Sequence, residues 1–470
     1  MPDIATPIIK NRDDAEAFLD ERIGRGVHPG LERITGLLEF MGDPQTTYPS
    51  IHIAGTNGKT TVSRMVQQIL GSHGLATGGF TSPHLERIEE RFSIHGVVLD
   101  SHDFVDAVRD MSWFVTGYEE ASGHLITYFE VTAALAFSVF ATAAVDVAVV
   151  EVGLGGRLDA TNALDGTVSV ITGIDIDHTE FLGRTIAEIA REKADIVPDD
   201  GILVTGVLPN EAVDVVARLT DERSVNWIRS GQDFEVVSAN LGVGGWQASI
   251  RGVFREYDDL FLPLHGRHQV DNLATAIASA EMFTGRALDP DLLQLAVAAT
   301  SAPGRLEVVG HRPVVILDGS HNAQGVGGLA ETLRNEFPPM AWQLVIGVKG
   351  ERSVAEVVTP LIGLVGHVHA VAVHDPTTHD AAEVASEAAR TLGVPGDSYG
   401  TVTQAIDAAT VAAGADGGVV VAGSLYLVGE ARSGIERPDD RMAEAHLRFS
   451  AEVALDDEDE APEPVDLQDE

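Results

Sequence analysis

Short apolar runs alternate with helix-period stretches along most of this chain. "YPSIHIAG" reads as a strand that leads into "TNGKTT" and then into the helical "VSRMVQQILGSHG". "DVAVVEVG" and "VSVITGIDID" are unbroken apolar runs ending in glycine and acid, the pattern of strands buried on both faces. Amphipathic helices are expected in "DDAEAFLDERI", "GLERITGLLEFMG" and "RTIAEIAREKADI", the last followed by the strand "GILVTGV". This alternation predicts an α/β fold with parallel strands and functional side chains at their C-terminal ends.

Around residues 235–265 the rhythm changes to short alternating strands, "WQASIRGVF" and "YDDLFLPL", and then to a helix in "DNLATAIASAEMFTG". A break falls in "ATSAPGRLE" near residue 302. Beyond it, "PVVILDGSHN", "MAWQLVIGVKG", "HVHAVAV" and "GGVVVAGSLYLVGE" repeat the strand–loop–helix order. The expected organisation is a P-loop-containing parallel-sheet domain over 1–302, then a smaller Rossmann-like α/β domain over 303–452. The last segment, 453–470, contains "DDEDEAPEPVDLQDE", with nine acids, two prolines and no base, and is expected to be a disordered, solvating tail.

Composition narrows the function classes. With 31 Lys plus Arg against 72 Asp plus Glu, the net charge of −41 repels nucleic-acid phosphates and anionic membrane. The acids are spread along the chain, which suits a surface hydrated at very high salt, so a halophilic protein is expected. No apolar run is long enough to span a bilayer, and "MPDIATPIIKNRDD" has no signal-peptide pattern, so a cytoplasmic protein is expected. The absence of cysteine removes disulfides and thiolate metal sites.

Candidate chemistry gathers at three strand ends. "GTNGKT" (Gly55–Thr60) is a glycine-rich loop between strand and helix. Its backbone N–H groups can cradle phosphate, Lys59 adds a point charge, and Thr60 can place a hydroxyl on Mg²⁺. The strict Walker spacing would need glycine at Ile53, so the match is to the chemistry and context rather than the literal pattern. Glu151 leaves a buried strand ahead of a glycine loop carrying Arg157, Asp159 and Asn162, where a metal-binding carboxylate is expected. "ITGIDIDHTEFLG" ends its strand with Asp175, Asp177 and His178. Lysine is scarce here: only Lys10, Lys59, Lys193 and Lys349 occur, so Lys193 in "REKADIVP" calls for chemistry that arginine cannot supply. Ile186, Ile189 and Ala190 are expected to be buried on its helix, bringing Lys193 to the core side.

Taken in order, "HPGLERITGLLEFMG", "IHIAGTNGKTT", "TSPHLERIEERFSIHG", "TYFEVTAALAF", "EVGLGGRLDATN", "DIDHTEFLGRTIAEIAREKADI", "GRHQVDNLATA", "PGRLE", "LDGSHN" and "GSLYLVGE" resemble the folylpolyglutamate synthase/dihydrofolate synthase family, within the Mur-type ATP-dependent amide ligases. The resemblance spans roughly residues 10 to 435. It implies that ATP binds between the domains, that a pteroate or folate carboxylate becomes an acyl phosphate, and that L-glutamate displaces the phosphate.

By the same resemblance, Gly55, Thr56, Asn57, Gly58, Lys59, Thr60, Thr61, Asn272, Arg305 and Asp318 would reach ATP. Thr60 and Glu151 would hold one Mg²⁺, His178 a second, and His321 would lie near the phosphates or glutamate. Ser82, Pro83 and His84 would close on the pterin (dihydropteroate or a reduced folate), with Phe129 and Glu130 nearby. Related ligases carbamylate the lysine matching Lys193, which would place it at the second metal, while Asp195 replaces the usual glycine of that segment. K⁺ or another monovalent cation is also compatible, and a monomer is expected. The smaller domain departs from the family pattern at "VKGERS" (Val348–Ser353), at Ala323 and at "DPTTHDA". Two other readings share parts of this chemistry. A muramyl-peptide ligase is disfavoured by "TSPHL" and "TYFE", and a P-loop switch GTPase by the lack of an N-K-x-D element.

Overall fold

The structure is a computed structural model and describes residues 7–26, 28–349, 352–373 and 378–435. The acidic segment 453–470, three residues of "DPTTHDA" and two residues of "VKGERS" lie outside the described residues. The first sheet contains β1 (Ser50–Ala54), β2 (Thr77–Phe80), β3 (Phe92–Ile94), β4 (Val97–Val98), β5 (Val147–Glu151), β6 (Val168–Ile171), β7 (Ile202–Thr205) and β8 (Asn226–Arg229). Their order is β4-β3-β2-β5-β1-β6-β7-β8, parallel apart from the antiparallel β3 and β4 edge. Strands β1 and β5 are buried at every position, as their apolar runs require. Because β5, β1 and β6 are parallel neighbours, with Ile53 opposite Glu151 and Ala54 opposite Ile171, the loops that follow them open at one edge.

The three-stranded antiparallel sheet of β9 (Glu235–Gly242), β10 (Gly245–Arg251) and β11 (Glu256–Leu262) shares a core with the first sheet and with the helices Lys59–Ser72 and His268–Thr284. The second α/β unit holds β12 (Glu307–His311), β13 (Val314–Leu317), β14 (Trp342–Ile346), β15 (Val365–Val371), β16 (Gly396–Tyr399) and β17 (Gly418–Ala422). Their order is β12-β13-β17-β14-β15-β16, parallel except for β12, with separate hydrophobic clusters on the two faces. Among the described residues no helix is long and apolar enough to cross a membrane.

Polar ties hold the two α/β units together. His265 Nδ1 lies 2.9 Å from Glu336 Oε2, and the Gly266 N–H donates to Glu336 Oε1 at 2.8 Å. Arg432, on the helix Leu425–Ser433, pairs with Glu307 at 3.0 Å and reaches across to Glu86 at 3.2 Å. Beside it the backbones nearly touch: a Cβ on Gly429 would stand 1.9 Å from the Leu85 carbonyl oxygen. Gly429→Ala must therefore push the Ser82–Glu86 loop away from the second unit. Misplacement of reacting groups by about 1 Å can cost on the order of a hundredfold. Turnover is expected to fall by about that factor while nucleotide affinity holds; unchanged steady-state kinetics would show that the contact does not position the domains.

Candidate active site

The loops after β1, β5 and β6 meet the second unit across a cavity of about 610 Å³. The glycine loop takes its shape from its neighbours. Gly55 has φ 153°, and a Cβ there would lie 2.0 Å from Thr172 Oγ1; Gly58 has φ 85°, and a Cβ there would lie 2.7 Å from Asn272 Oδ1. The Thr172 hydroxyl donates to the Asn57 carbonyl at 2.6 Å, and the Thr56 N–H donates to the Gly173 carbonyl at 2.8 Å. Thr56 Oγ1 accepts from the Asp175 N–H at 3.0 Å. Residues 172–175 thus pin the loop from the β6 side.

Two lysines converge on this loop. Lys59 Nζ and Lys193 Nζ each donate to the Gly55 carbonyl at 2.9 Å. Lys193 is 4% exposed, and burial, then the Lys59 charge, push its ammonium down to about 7. Its helix, Ile186–Ala194, buries Ile189, Ala190, Lys193 and Ala194. Ile186, expected in that buried stripe, packs against the same cluster but is only half-buried, because it sits in the helix's first turn. Asp195 takes an ordinary backbone conformation (φ −68°) in place of the family's glycine and pairs with Arg223 at 2.6 Å.

Glu151 lies opposite. It is buried, accepts from the Thr60 hydroxyl at 3.1 Å and from the Ser82 N–H at 3.4 Å, and burial raises its carboxyl above the usual value. No cation stands within ion-pair distance of it among the described residues. A buried carboxylate and a hydroxyl, both oxygen donors facing a cavity, fit a hard divalent cation such as Mg²⁺. Three or more His, Asp or Glu ligand atoms do not converge here among the described residues; the one such group is the exposed Asp100–His102–Asp103 set. A metal at Glu151 would therefore draw its remaining ligands from phosphate and water.

Asp177 links this region to the second unit. Its Oδ2 accepts from Asn322 Nδ2 at 3.0 Å and lies 3.9 Å from His321, while Oδ1 lies 3.8 Å from Arg352. Burial raises the Asp177 carboxyl, but His178, His321, Asn322 and Arg352 together hold it below the usual range. Burial and the Arg352 charge push His321 down to about 4, so its imidazole is neutral at pH 7. His178 is held low chiefly by burial around its ring although the residue keeps an open surface, and it adopts φ 47° at the start of the short helix Thr179–Leu182.

Of the residues singled out in the sequence, Gly55, Thr56, Asn57, Gly58, Lys59, Thr60, Thr61, Ser82, Pro83, Glu151, His178, Lys193, Asn272, Arg305, Asp318 and His321 all line the cavity. Asp318 has both carboxylate oxygens engaged, by the N–H groups of Leu306 (2.9 Å) and Ser320 (3.0 Å), so it shapes the link between domains at the cavity wall. His84, Phe129 and Glu130 stand away from the cavity lining. His84 accepts from Arg91 Nε at 3.0 Å. Phe129 backs the Gly153 turn, where a Cβ would lie 2.4 Å from its ring. Glu130 closes a capping box with Thr127 and pairs with Arg33 at 2.9 Å. Sequence reading passed over Thr172, His268, Gln269, Gln324 and Arg352 as site residues. His268 and Gln269 stand inside the quoted "GRHQVDNLATA", but Thr172 and Gln324 carry no local signal.

A model described as the Mur ligase middle domain matches residues 53–280, and one described as the Mur ligase, glutamate ligase domain matches residues 304–425. The dihydrofolate synthase/folylpolyglutamate synthase of Mycobacterium tuberculosis is 36% identical over 467 residues, covering 91% of this chain and 96% of that protein. The chain belongs to the dihydrofolate synthase/folylpolyglutamate synthase family. A probable bifunctional folylpolyglutamate synthase/dihydropteroate synthase of Halobacterium salinarum is another relative, 35% identical over 441 residues. That alignment covers 90% of this chain and 51% of the relative, so this chain spans about half its length. Among solved structures, M. tuberculosis folylpolyglutamate synthase complexed with ADP and AMPPCP matches with a TM-score of 0.86 at 36% identity, covering 91% of this chain and 99% of that one. The two-unit α/β architecture is thus the family's own, and the cavity between its units is where the strand-end residues meet.

Proposed function

We propose that this chain uses ATP to join L-glutamate to the carboxylate of a pteroate or folate. The observation that carries the reading is the convergence of the glycine loop, Glu151 and two lysines on one interdomain cavity, in a chain of this ligase family. A substrate carboxylate oxygen attacks the γ-phosphorus and ADP leaves; the glutamate amine then attacks the acyl carbon and phosphate leaves. Such a transfer needs positioning and charge neutralisation more than covalent help from the protein.

The backbone N–H groups of the glycine loop hold phosphates, and Lys59 adds charge once a phosphate draws it from the Gly55 carbonyl. His321 lines the same cavity with its imidazole neutral at pH 7, so it adds no positive charge beside the phosphates. Thr60 and Glu151 would hold one Mg²⁺, and His178 with Lys193 a second; such ions would supply charge neutralisation at the phosphoryl oxygens. A lysine pushed to about 7 presents enough free amine to add CO₂, releasing one proton and becoming an anionic carbamate.

The reading is tested by ADP formation with dihydropteroate or a reduced folate plus glutamate, with products sized by mass. Stimulation by both the pterin and glutamate is expected. Turnover supported by neither pterin, with a UDP-muramyl peptide active instead, would replace the folate acceptor with the peptidoglycan one.

A further inference from the structure

A groove of about 590 Å³ runs along the outer side of the helix Ile186–Ala194, between it and the helix Asn210–Glu222. The first of these helices serves two spaces at once. Lys193 faces the interdomain cavity, whereas Ala187, Glu188 and Arg191 face the groove. The short helix Thr179–Leu182 joins the two: Leu182 is a wall of both, and its N–H donates to the carbonyl of His178, a cavity residue, at 3.0 Å. The groove therefore begins within one helical turn of His178. Leu182, Ala187 and Val215 give it an apolar floor, and Phe181 stands beside them 52% exposed.

Most of the groove's acids are committed, and its arginines are not. Glu188 Oε2 accepts from the N–H groups of Arg184 (2.8 Å) and Thr185 (3.0 Å), and Glu192 Oε1 accepts from Arg157 at 2.8 Å. Only Glu222 lacks such a partner among the described residues. Arg191 reaches a carboxylate only at Asp195, 3.8 Å away, and Arg223 already holds that carboxylate at 2.6 Å. Arg218 donates to the Asp214 carbonyl at 3.0 Å and meets no carboxylate within 4.0 Å among the described residues. In a chain of 72 acids, arginines elsewhere find close carboxylates, as Arg12 does with Glu89 at 2.7 Å and Arg33 with Glu130 at 2.9 Å. Two arginines with spare donors over an apolar floor suit a flexible chain that carries carboxylates.

We propose that this groove holds the glutamate chain of a folate acceptor that has already been extended. The assignment rests on the ligase reading above and names a subsite for its longer acceptors. Each round of the reaction must bring a terminal carboxylate to the same phosphate. The pteroyl end therefore retreats from the reacting centre as glutamates accumulate, and the earlier residues need a path out of the cavity. The shared wall at Leu182 provides one. Every glutamate inside the chain keeps one free carboxylate, and a protein of net charge −41 repels such a chain except where cations face it. Arg191 and Arg218 offer forked donors to those carboxylates, while Phe181, Ala187 and Val215 cover the methylenes between them.

Two double variants test this against the wild type: Arg191→Gln with Arg218→Gln, and Arg191→Lys with Arg218→Lys. All assays share one salt concentration, which keeps charge screening equal. The acceptors are dihydropteroate, which carries no glutamate, and a reduced folate carrying three. In the glutamine pair, the KM for the triglutamate acceptor divided by that for dihydropteroate is expected to rise about tenfold or more, the worth of a charge-assisted contact. The lysine pair should recover part of that loss. An equal rise for both acceptors, or an unchanged KM for the triglutamate, would overturn the inference. Calorimetric titration of a free γ-linked glutamate tripeptide reads the groove without turnover. The wild type should bind it about tenfold more tightly than the glutamine pair; equal affinity would count against the groove. A wild type that turns over neither acceptor, yet binds the tripeptide through the two arginines, would sink the ligase reading and leave the groove assigned. Turnover of both acceptors with no dependence on the arginines would do the reverse.

Discussion

Lys193→Met is expected to remove ligase turnover and, in the same protein, to raise the melting temperature. The side chain is 4% exposed, and its ammonium shares the Gly55 carbonyl with Lys59. Burial lowers its pKa from 10.5 to about 7, so the folded chain binds this proton less tightly than the unfolded chain does. The sign follows: the cost is complete below pH 7 and fades as pH rises toward 10.5. At about 1.4 kcal/mol per pKa unit, methionine should recover on the order of 2 to 4 kcal/mol near neutrality, allowing for the lost hydrogen bond. Thermal melts in CO₂-depleted, nucleotide-free buffer from pH 6 to 10 check this, with the gain expected to shrink toward alkaline pH. Activity should fall by about a thousandfold, the upper range for losing one charge-stabilising group. Lys193→Arg should be as inactive, because a guanidinium offers no free amine to CO₂. Near-normal turnover in the arginine variant would refute a carbamate at this position.

Glu151→Gln is the second large effect. Glutamine keeps one acceptor oxygen, for the Ser82 N–H or the Thr60 hydroxyl but not both, and removes a buried charge that no cation among the described residues meets at ion-pair distance. Turnover is expected to drop by roughly a hundredfold to a thousandfold. Wild-type melting temperature should rise more with ATP and Mg²⁺ together than with ATP alone; in the variant the Mg²⁺ increment should vanish. The nucleotide-free variant should be at least as stable as the wild type, because burial disfavours the carboxylate. A persisting Mg²⁺ increment would show that the metal is held elsewhere.

Much of the site was legible because phosphate chemistry is written locally. Gly55 to Thr60 form one turn between a strand and a helix, and Glu151 ends a buried strand, so each is visible as a break in apolar periodicity. Lys193 was visible through composition, since a chain that uses arginine at nearly every basic position keeps a lysine in the last turn of this helix. Residues contributed singly by distant segments escaped this kind of reading. Thr172 holds the Asn57 carbonyl from 115 positions away, and Arg352 reaches Asp177 from the second unit. Glu130 and Phe129 show the converse. Their motif signals a substrate neighbourhood, whereas their side chains are spent on a helix cap and on backing the Gly153 turn.

The sequence by itself determined the α/β class, the phosphate loop, the buried acid and the odd lysine, because each depends on local periodicity or on the chemistry of one residue type. Tertiary structure alone decided that Lys59 and Lys193 share one carbonyl and that Asp177 bridges to the second unit. Those facts depend on distances between segments far apart in the chain, which only packing of the two units against each other sets.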